Sequence, residues 1–310
     1  MKWEKKGLIY KPDGTLWWAK THAAIPTPVL LDKSTIRIYF ASRDRNNVSR
    51  IGYIDVDSRD PSIVLDISKE PVLDIGVRGA FDDNGVLPSS IVKFDDKLFL
   101  YYIGFQLGVK VRYFLFSGLA ISVDSGKSFS RYSRVPILDR SDAGLYFRTA
   151  PYVYLESSTD TWHMWYVEGN TWTTLSSGKE VPVYTIKYLK STDGITWPNE
   201  GNILSGFNFK TSDEHGFGRP FILRDGDGYK MFYSIRTKSK GYRIGYAESV
   251  DGINWIRKDE EVGIDVSKAG WDSEMICFAS IVKVRNKTYM FYNGNNYGET
   301  GIGYAVLIKE

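Results

Sequence analysis

Residues 231–255, MFYSIRTKSKGYRIGYAESVDGINW, contain three short motifs that recur along the chain. The first is the aromatic pair Phe232-Tyr233, and the second is Ile244-Gly245-Tyr246. The third is the turn Ser249–Trp255, which includes Asp251-Gly252. An Asp-Gly step between β-rich runs favours a hairpin, because glycine readily adopts a positive φ. The stretch therefore predicts antiparallel strands joined by tight turns.

The aromatic pair occurs five times, and its first members are 62, 64, 67 and 59 residues apart: Tyr39-Phe40, Tyr101-Tyr102, Trp165-Tyr166, Phe232-Tyr233 and Phe291-Tyr292. A version of the second motif follows each pair: Ile51-Gly52-Tyr53, Gly118-Leu119-Ala120, Ile186-Lys187-Tyr188, Ile244-Gly245-Tyr246 and Ile302-Gly303-Tyr304. The serine–aspartate turn follows three of them: Ser122–Phe129, Ser191–Trp197 and Ser249–Trp255. Internal repeats of this length predict an array of like units.

Each repeat predicts four short strands, but the last repeat stops after its third, at Gly303–Leu307. The N-terminus can supply the missing strand, since Trp3 precedes Gly7-Leu8-Ile9 much as Trp197 precedes Gly201-Asn202-Ile203. Pairing the first and last segments protects sheet edges. We therefore predict an all-β chain that forms a single domain over residues 1–310. The expected fold is a five-bladed β-propeller of four-stranded antiparallel blades, with the ring closed by the N-terminal strand.

The composition of the chain argues against several classes of function and location. A net charge of +3 is too small to favour nucleic acid as the main partner. One cysteine excludes a disulfide framework, and three histidines do not favour a transition-metal site. We therefore expect no cofactor. Only a Ca²⁺ ion in the central channel of the propeller stays open. The sequence contains no apolar run long enough for a signal peptide or a membrane span, so we expect a cytoplasmic protein. The oligomeric state stays open.

The five repeats, with Ser-x-Asp-Gly-x-x-Trp turns and Tyr-rich second strands, resemble the five-bladed propeller glycoside hydrolases of families 43, 32, 62, 68 and 130. Three stretches resemble more closely a group of uncharacterised bacterial propellers that is often found in surface-polysaccharide gene clusters: His22–Pro28, Ala41–Asp44 and Gly270–Ser273. The resemblance implies a carbohydrate or sugar-phosphate ligand in a funnel at the centre of the ring.

The catalytic pattern of those hydrolases is not matched. They carry an acid one or two residues before the proline that begins an innermost strand. Aligned on Pro28, Pro88, Pro151, Pro220 and Ala279, this chain has no acid at those positions. Acids lie slightly upstream instead, at Asp83, Glu214 and Glu274. Because hydrolysis needs two carboxyl groups, we predict that these three are catalytic, with Asp83 as general acid and Glu214 or Glu274 as base.

Nine further residues are predicted to bind the ligand. Arginine holds phosphate or carboxylate oxygens through paired hydrogen bonds, histidine can bind phosphate, and aromatic rings, amides and carboxylates contact sugars. The predicted binding residues are His22, Arg43, Arg148, Trp172, Arg219, Arg236, Asp272, Asn293 and Tyr297. The arginines are equally well explained as partners of structural carboxylates. Trp172 and Tyr297 are expected in loops beyond the strands.

Three functions remain open. A glycosidase or glycoside phosphorylase is favoured by the resemblance and by the three upstream acids. A non-catalytic carbohydrate-binding or assembly protein is favoured by the missing acids, and a glycosyl transferase by the arginines. A sialidase-like site fits less well, because sialidases have six blades. Fold alone does not establish activity, so whether the chain is an enzyme stays open, with an enzyme preferred.

Overall fold

The computed structural model describes residues 1–309, which form twenty β-strands, a 3-10 turn at Asp259–Glu261 and a short helical turn at Asn295–Gly298. This predominance of strands confirms the predicted all-β class. Among these residues, no helix is long and apolar enough to cross a membrane. Strand pairing groups consecutive strands together, except that the first strand of the chain pairs with the last.

The strands pair into five antiparallel units of four, called units 1 to 5. Unit 1 contains β2 Thr21–Leu30, β3 Thr35–Arg43, β4 Ser49–Asp57 and β5 Val64–Ile67. Unit 2 contains β6 Val86–Phe94, β7 Lys97–Leu107, β8 Tyr113–Ser122 and β9 Ser130–Arg131. Unit 3 contains β10 Phe147–Glu156, β11 Thr161–Thr174, β12 Glu180–Ser191 and β13 Asn202–Ile203. Unit 4 contains β14 Glu214–Asp225, β15 Gly228–Thr237, β16 Arg243–Ser249 and β17 Trp255–Arg257. Unit 5 contains β18 Cys277–Val284, β19 Lys287–Asn293, β20 Ile302–Lys309 and β1 Lys2–Tyr10.

The units contact one another in cyclic order. The first strand of each unit lies against the first strand of the next, and β18 lies against β2. Five hydrophobic clusters each join two neighbouring units, and the cluster that contains Phe40 and Phe291 joins unit 1 to unit 5. Apolar burial therefore holds neighbouring units together around the whole cycle.

The N-terminal strand completes unit 5, as the sequence predicts. β1 pairs antiparallel with β20, with Trp3 opposite Leu307 and Gly7 opposite Tyr304. Trp3 is buried and contacts the Phe232 ring of unit 4 edge-on at 6.2 Å. The first residues of the chain are thus held by the last strand and by a neighbouring unit.

The serine–aspartate turns have the structural role predicted for them. In unit 4, the Ser249 hydroxyl accepts the Gly252 amide at 2.8 Å, and the Asp251 carboxylate accepts the amides of Ile253 and Asn254 at 2.9 and 2.7 Å. Gly252 has a φ of +76°, which its lack of a side chain permits. The Asp251 carboxylate is thus occupied within its own turn, by these amides and by the Asn254 side-chain amide at 2.6 Å.

The same turns join units 2, 3 and 4 each to the unit before it. The first aromatic residue of the pair in units 1, 2 and 3 donates a hydrogen bond to the turn glycine carbonyl of the next unit, each at 2.8 Å: Tyr39 to Gly126, Tyr101 to Gly194, and Trp165 to Gly252. Units 4 and 5 have Phe232 and Phe291 at this position, which carry no donor, and the units that follow them lack the turn motif. A donor occurs only where an acceptor is present.

Tyr101→Phe tests this connection between units. The substitution removes one hydroxyl and leaves the buried Gly194 carbonyl without its donor, so the free energy of unfolding should fall by about 1–3 kcal/mol. Urea denaturation measures the change, with Tyr132→Phe as a control because Tyr132 is exposed. Equal stability of the two variants would show that the hydrogen bond does not hold the units together.

Deleting residues 1–9 tests closure by β1. The deletion uncovers the edge of β20 and removes the Lys5–Asp272 ion pair of 2.7 Å, so the melting temperature should fall sharply and the chain should aggregate. Trp3→Ala should cost about 3–5 kcal/mol on its own. Lys6→Ala changes only an exposed pair and serves as the control. A deletion variant that melts like the intact chain would contradict closure by this strand.

Candidate functional site

One cavity is lined by residues from all five units, where their first three strands converge. Its inner chamber has a volume of about 190 Å³ and opens into an outer funnel of about 600 Å³. The residues that line both spaces form the neck: Arg43, Ser49, Leu87, Phe105, Tyr113, Tyr184, Arg236, Tyr242 and Tyr297. A concave site built from several elements is the usual form of a ligand pocket.

The first strand of every unit is irregular at the level of this cavity. The ladder between first and second strands shifts register in each unit, and Ile25, Ala150 and Phe278 have φ values of +54°, +51° and +58° at equivalent positions in units 1, 3 and 5. Positive φ is strained for such residues and costs about 1–3 kcal/mol each. All three line the inner chamber, so the strain lies in its wall.

The ladder corrects the register inferred from the prolines in two units. The residues opposite the first aromatic of each pair are Thr27, Ser90, Tyr152, Phe221 and Ser280. Pro26 and Ser89 are therefore equivalent to Pro151, whereas the alignment on Pro28 and Pro88 was wrong by two residues and by one. The bulges explain the error, because they insert residues that sequence spacing does not reveal. In the corrected register, the one or two preceding residues still include no acid.

Arg219 forms the floor of the inner chamber and is 2% exposed. Its guanidinium donates to the Ser89 carbonyl from Nε (3.2 Å) and Nη2 (2.6 Å), and Nη1 donates to the Ala279 carbonyl (3.2 Å) and the Ser280 hydroxyl (2.6 Å). Nη2 also donates to the Thr27 hydroxyl at 3.2 Å. Burial lowers its pKa to about 9, so the group stays charged at neutral pH. Arg219, one of the predicted binding residues, lines the cavity, but its donors are occupied by the protein.

The neck holds two arginines with few partners. Arg236 lies 4.2 Å from the centre of the Tyr184 ring, and its Nη1 donates to the Pro182 carbonyl at 2.8 Å. Its Nε is buried without a hydrogen-bond partner. Arg43 donates to the Asn47 side-chain oxygen at 3.0 Å. Both arginines therefore line the neck with donor capacity that the protein does not use.

His22 lies in the wall of the inner chamber, also at a positive φ. Burial, followed by the nearby charge of Arg43, lowers its pKa to about 4, so the ring is neutral at pH 7. Its Nδ1 lies 2.9 Å from the Thr21 hydroxyl. Tyr297, on the turn after β19, lines the neck and packs edge-on against Tyr242 at 5.2 Å. Five predicted binding residues thus meet in one cavity: His22, Arg43, Arg219, Arg236 and Tyr297.

Among residues 1–309, no carboxylate lines the inner chamber, the neck or the outer funnel. Asp83 accepts the Gly79 amide at 2.8 Å on an exposed loop, and Glu274 is exposed. Glu214 is held by Arg257 through two hydrogen bonds of 2.9 and 3.0 Å. The catalytic roles of Asp83, Glu214 and Glu274 stay predictions, and their positions do not bring them together at the cavity.

Four predicted binding residues lie outside the cavity lining. Arg148 is buried near Glu168, with its Nε 3.8 Å from that carboxylate, and Asp272 is buried against Lys5. The Asn293 side-chain oxygen accepts the Ile25 amide at 3.1 Å, which joins unit 5 to unit 1. Trp172 lies in β11 and not in a loop, because β11 and β12 extend as a long hairpin.

A repeated buried triad explains several of these positions. The second aromatic of the pair is tyrosine in units 2 to 5, and its hydroxyl donates to a carboxylate that a cation also contacts. The triads are Tyr102–Asp82–Arg131, Tyr166–Glu168–Arg148, Tyr233–Asp259–Arg257 and Tyr292–Asp272–Lys5. These acids and cations therefore stabilise the interior of units 2 to 5.

Sequence reasoning missed part of the lining, although the repeats contain a signal for it. In units 1 to 4, the residues that pair with the second aromatic residue of the unit are Gly52, Gly118, Lys187 and Gly245. The residue three positions before each of them lines the inner chamber: Ser49, Leu115, Tyr184 and Tyr242. Superposing the repeats on the second motif would have identified this position in units 1, 3 and 4, where the paired residue is the middle of the motif, but not in unit 2, where it is the first residue. Among residues 1–309, no group of three or more histidine, cysteine or acidic side chains could hold a metal ion.

No family model matches the chain. Over 307 residues it is 37% identical to the uncharacterised protein Rv1502 of Mycobacterium tuberculosis, and the match covers 99% of both chains. The chain belongs to the family of Rv1502. An uncharacterised protein of a second strain, MT1551, matches to the same extent.

Solved structures share the fold of this family member at low sequence identity. A glycoside hydrolase is 18% identical with a TM-score of 0.75, covering 99% of this chain and 92% of that one. A glycosyl hydrolase from Bacteroides ovatus is 16% identical with a TM-score of 0.73, covering 98% and 92%. A thermostable family-43 glycoside hydrolase is 15% identical with a TM-score of 0.69, covering 96% and 92%. The fold is therefore similar to that of glycoside hydrolases.

The buried histidines predict a pH dependence of stability. Burial lowers the pKa values of His22 and His215 from 6.5 to about 4. Between these two pH values, the unfolded chain therefore binds protons on both histidines that the folded chain does not bind. The free energy of unfolding should therefore decrease as the pH falls from 6.5 towards 4. Urea denaturation across this range measures it, and the His22→Asn/His215→Asn variant should show a flatter profile. An identical profile for the variant would assign the effect to other groups.

Proposed function

We propose that the five units are the blades of a closed five-bladed β-propeller and that its central cavity binds a carbohydrate without hydrolysing it. The observation that carries this proposal is a single cavity that all five units line with tyrosines or arginines and that no carboxylate lines within the described part of the chain. The cyclic contacts between first strands and the pairing of β1 with β20 support ring closure.

The lining suits a sugar. Tyrosine rings offer apolar faces for the C–H surface of a sugar ring, while their hydroxyls and the Ser49 hydroxyl can exchange hydrogen bonds with sugar hydroxyls. The similarity of the fold to glycoside hydrolases adds support for a carbohydrate ligand. The inner chamber of about 190 Å³ and the funnel of about 600 Å³ suit one sugar unit with a further group extending outwards.

Binding is favoured over hydrolysis by the chemistry of the lining. Glycoside hydrolysis requires two carboxyl groups that flank the scissile bond, roughly 5–9.5 Å apart depending on the mechanism. Asp83 is occupied by a loop amide and Glu214 by Arg257, and neither faces the cavity. A role in carbohydrate binding or polysaccharide assembly uses the tyrosines and arginines of the neck and needs no acid there.

The test combines binding with turnover. A panel of mono- and oligosaccharides should raise the melting temperature of the protein, because a ligand that binds only the folded state stabilises it. The corresponding aryl glycosides should stay intact, with and without added phosphate. Turnover that Asp83→Asn abolishes would contradict the binding proposal and favour a glycosidase or phosphorylase. Absence of any shift across the panel would contradict carbohydrate binding.

A further inference from the structure

We propose that the ligand is an acidic saccharide, whose phosphate or carboxylate group is held at the neck by Arg43 and Arg236. The inference rests on the proposed carbohydrate-binding function and names the class of sugar. It follows from the distribution of charge in the cavity, from the unused donors of the two arginines, and from the contrast between them and Arg219.

The cavity is cationic from its floor to its rim. Five permanent cations line it: Arg219 in the inner chamber, Arg43 and Arg236 at the neck, and Arg112 and Lys179 in the outer funnel. None of the five makes an ion pair with a carboxylate anywhere in residues 1–309. Elsewhere in the same protein, buried arginines such as Arg37 and Arg257 are matched to aspartate or glutamate. The cations that line the cavity lack such carboxylate partners, and an anionic ligand would supply the missing negative charge.

Arg236 is arranged to receive that charge. Only 5% of the residue is exposed, its guanidinium is stacked over Tyr184, and a single carbonyl, that of Pro182, accepts its hydrogen bond. A buried charge without a counter-charge loses its hydration without compensation, and pairing with an anion recovers part of that cost. The stacked, planar guanidinium also fixes the direction of its free donors, which suits the paired oxygens of phosphate or carboxylate.

Arg43 provides the second group at the neck. Arg43 is half-buried, its Nη1 donates to the Asn47 side chain, and burial lowers its pKa. Glu299 acts on Arg43 electrostatically, but this carboxylate is exposed, interacts with Asn296 and does not line the cavity. An anion at the neck would therefore meet two arginines, and the one carboxylate that acts on Arg43, that of Glu299, lies outside the lining.

Arg219 and the rim cations have different roles. Arg219 uses its donors on carbonyl and hydroxyl oxygens, so it contributes positive potential without hydrogen bonds to the ligand. Arg112 and Lys179 are exposed, and charges in such positions attract a ligand of opposite sign and raise its association rate in a salt-dependent way. The neck is thus where the affinity for an acid group resides.

Matched neutral and acidic sugars test the proposal by calorimetric titration and thermal shift. The two neutral–acidic pairs are glucose with glucose 1-phosphate and galactose with galacturonic acid. Inorganic phosphate is the control for binding of the anion alone. At least one acidic member should bind at least tenfold more tightly than its neutral partner, and added salt should weaken it. Whichever acidic sugar binds distinguishes a phosphate from a carboxylate ligand.

Variants at the neck locate the binding site. Arg43→Met should weaken binding of the acidic sugar at least tenfold, and Arg236→Lys should weaken it because lysine keeps the charge but loses the stacked, paired donors. Arg78→Met removes the same charge from an exposed position and should leave binding unchanged. Thermal melts of each variant exclude loss of fold as the cause.

The outcomes separate this inference from the proposed function. Equal affinity for neutral and acidic sugars, or acidic-sugar binding unaffected by both neck variants, would overturn the inference and leave carbohydrate binding standing. Inorganic phosphate that binds as tightly as glucose 1-phosphate would show that the sugar is not recognised and would contradict both. The same holds if no sugar of the panel binds.

Discussion

The centre of the molecule depends on the hydrogen bonds that the Arg219 guanidinium donates. From the fourth unit it donates to the first strands of units 1, 2 and 5, through Thr27, Ser89 and the Ala279–Ser280 segment. Carbonyl and hydroxyl oxygens replace the carboxylate that a buried arginine usually requires. The same group therefore fastens strands that are distant in sequence and leaves a fixed positive charge beneath the cavity.

Periodicity in the sequence predicts most of the fold, because a repeat needs the same buried contacts each time it occurs. The aromatic pairs, the glycine-containing turns and the pairing of Trp3 with the last strand all follow from it. What the repeats do not reveal is local irregularity. The bulges beside Ile25 and Pro88 shift the register without leaving a recognisable residue pattern, so the alignment on prolines was wrong there.

The candidate site was harder to predict because acids and arginines each serve two purposes in this chain. Acids and arginines at the strand starts suggest catalysis, yet the Tyr292–Asp272–Lys5 and Tyr233–Asp259–Arg257 triads stabilise the interior of single units. Position along the chain does not distinguish a side chain that faces the central cavity from one that faces a neighbouring strand. Arg43, Arg236 and Arg219 face the cavity, whereas Arg148 turns towards Glu168, a difference set by packing between strands.

The central claim is that the neck arginines are free for an anion while Arg219 is already satisfied. Anomalous diffraction from crystals soaked in bromide tests it directly, because bromide reports where the protein accepts a negative charge. We expect a bromide peak at the neck, beside Arg43 and Arg236, and none within hydrogen-bonding distance of the Arg219 nitrogens. A cavity without bromide, in crystals that bind it on their outer surface, would contradict the claim.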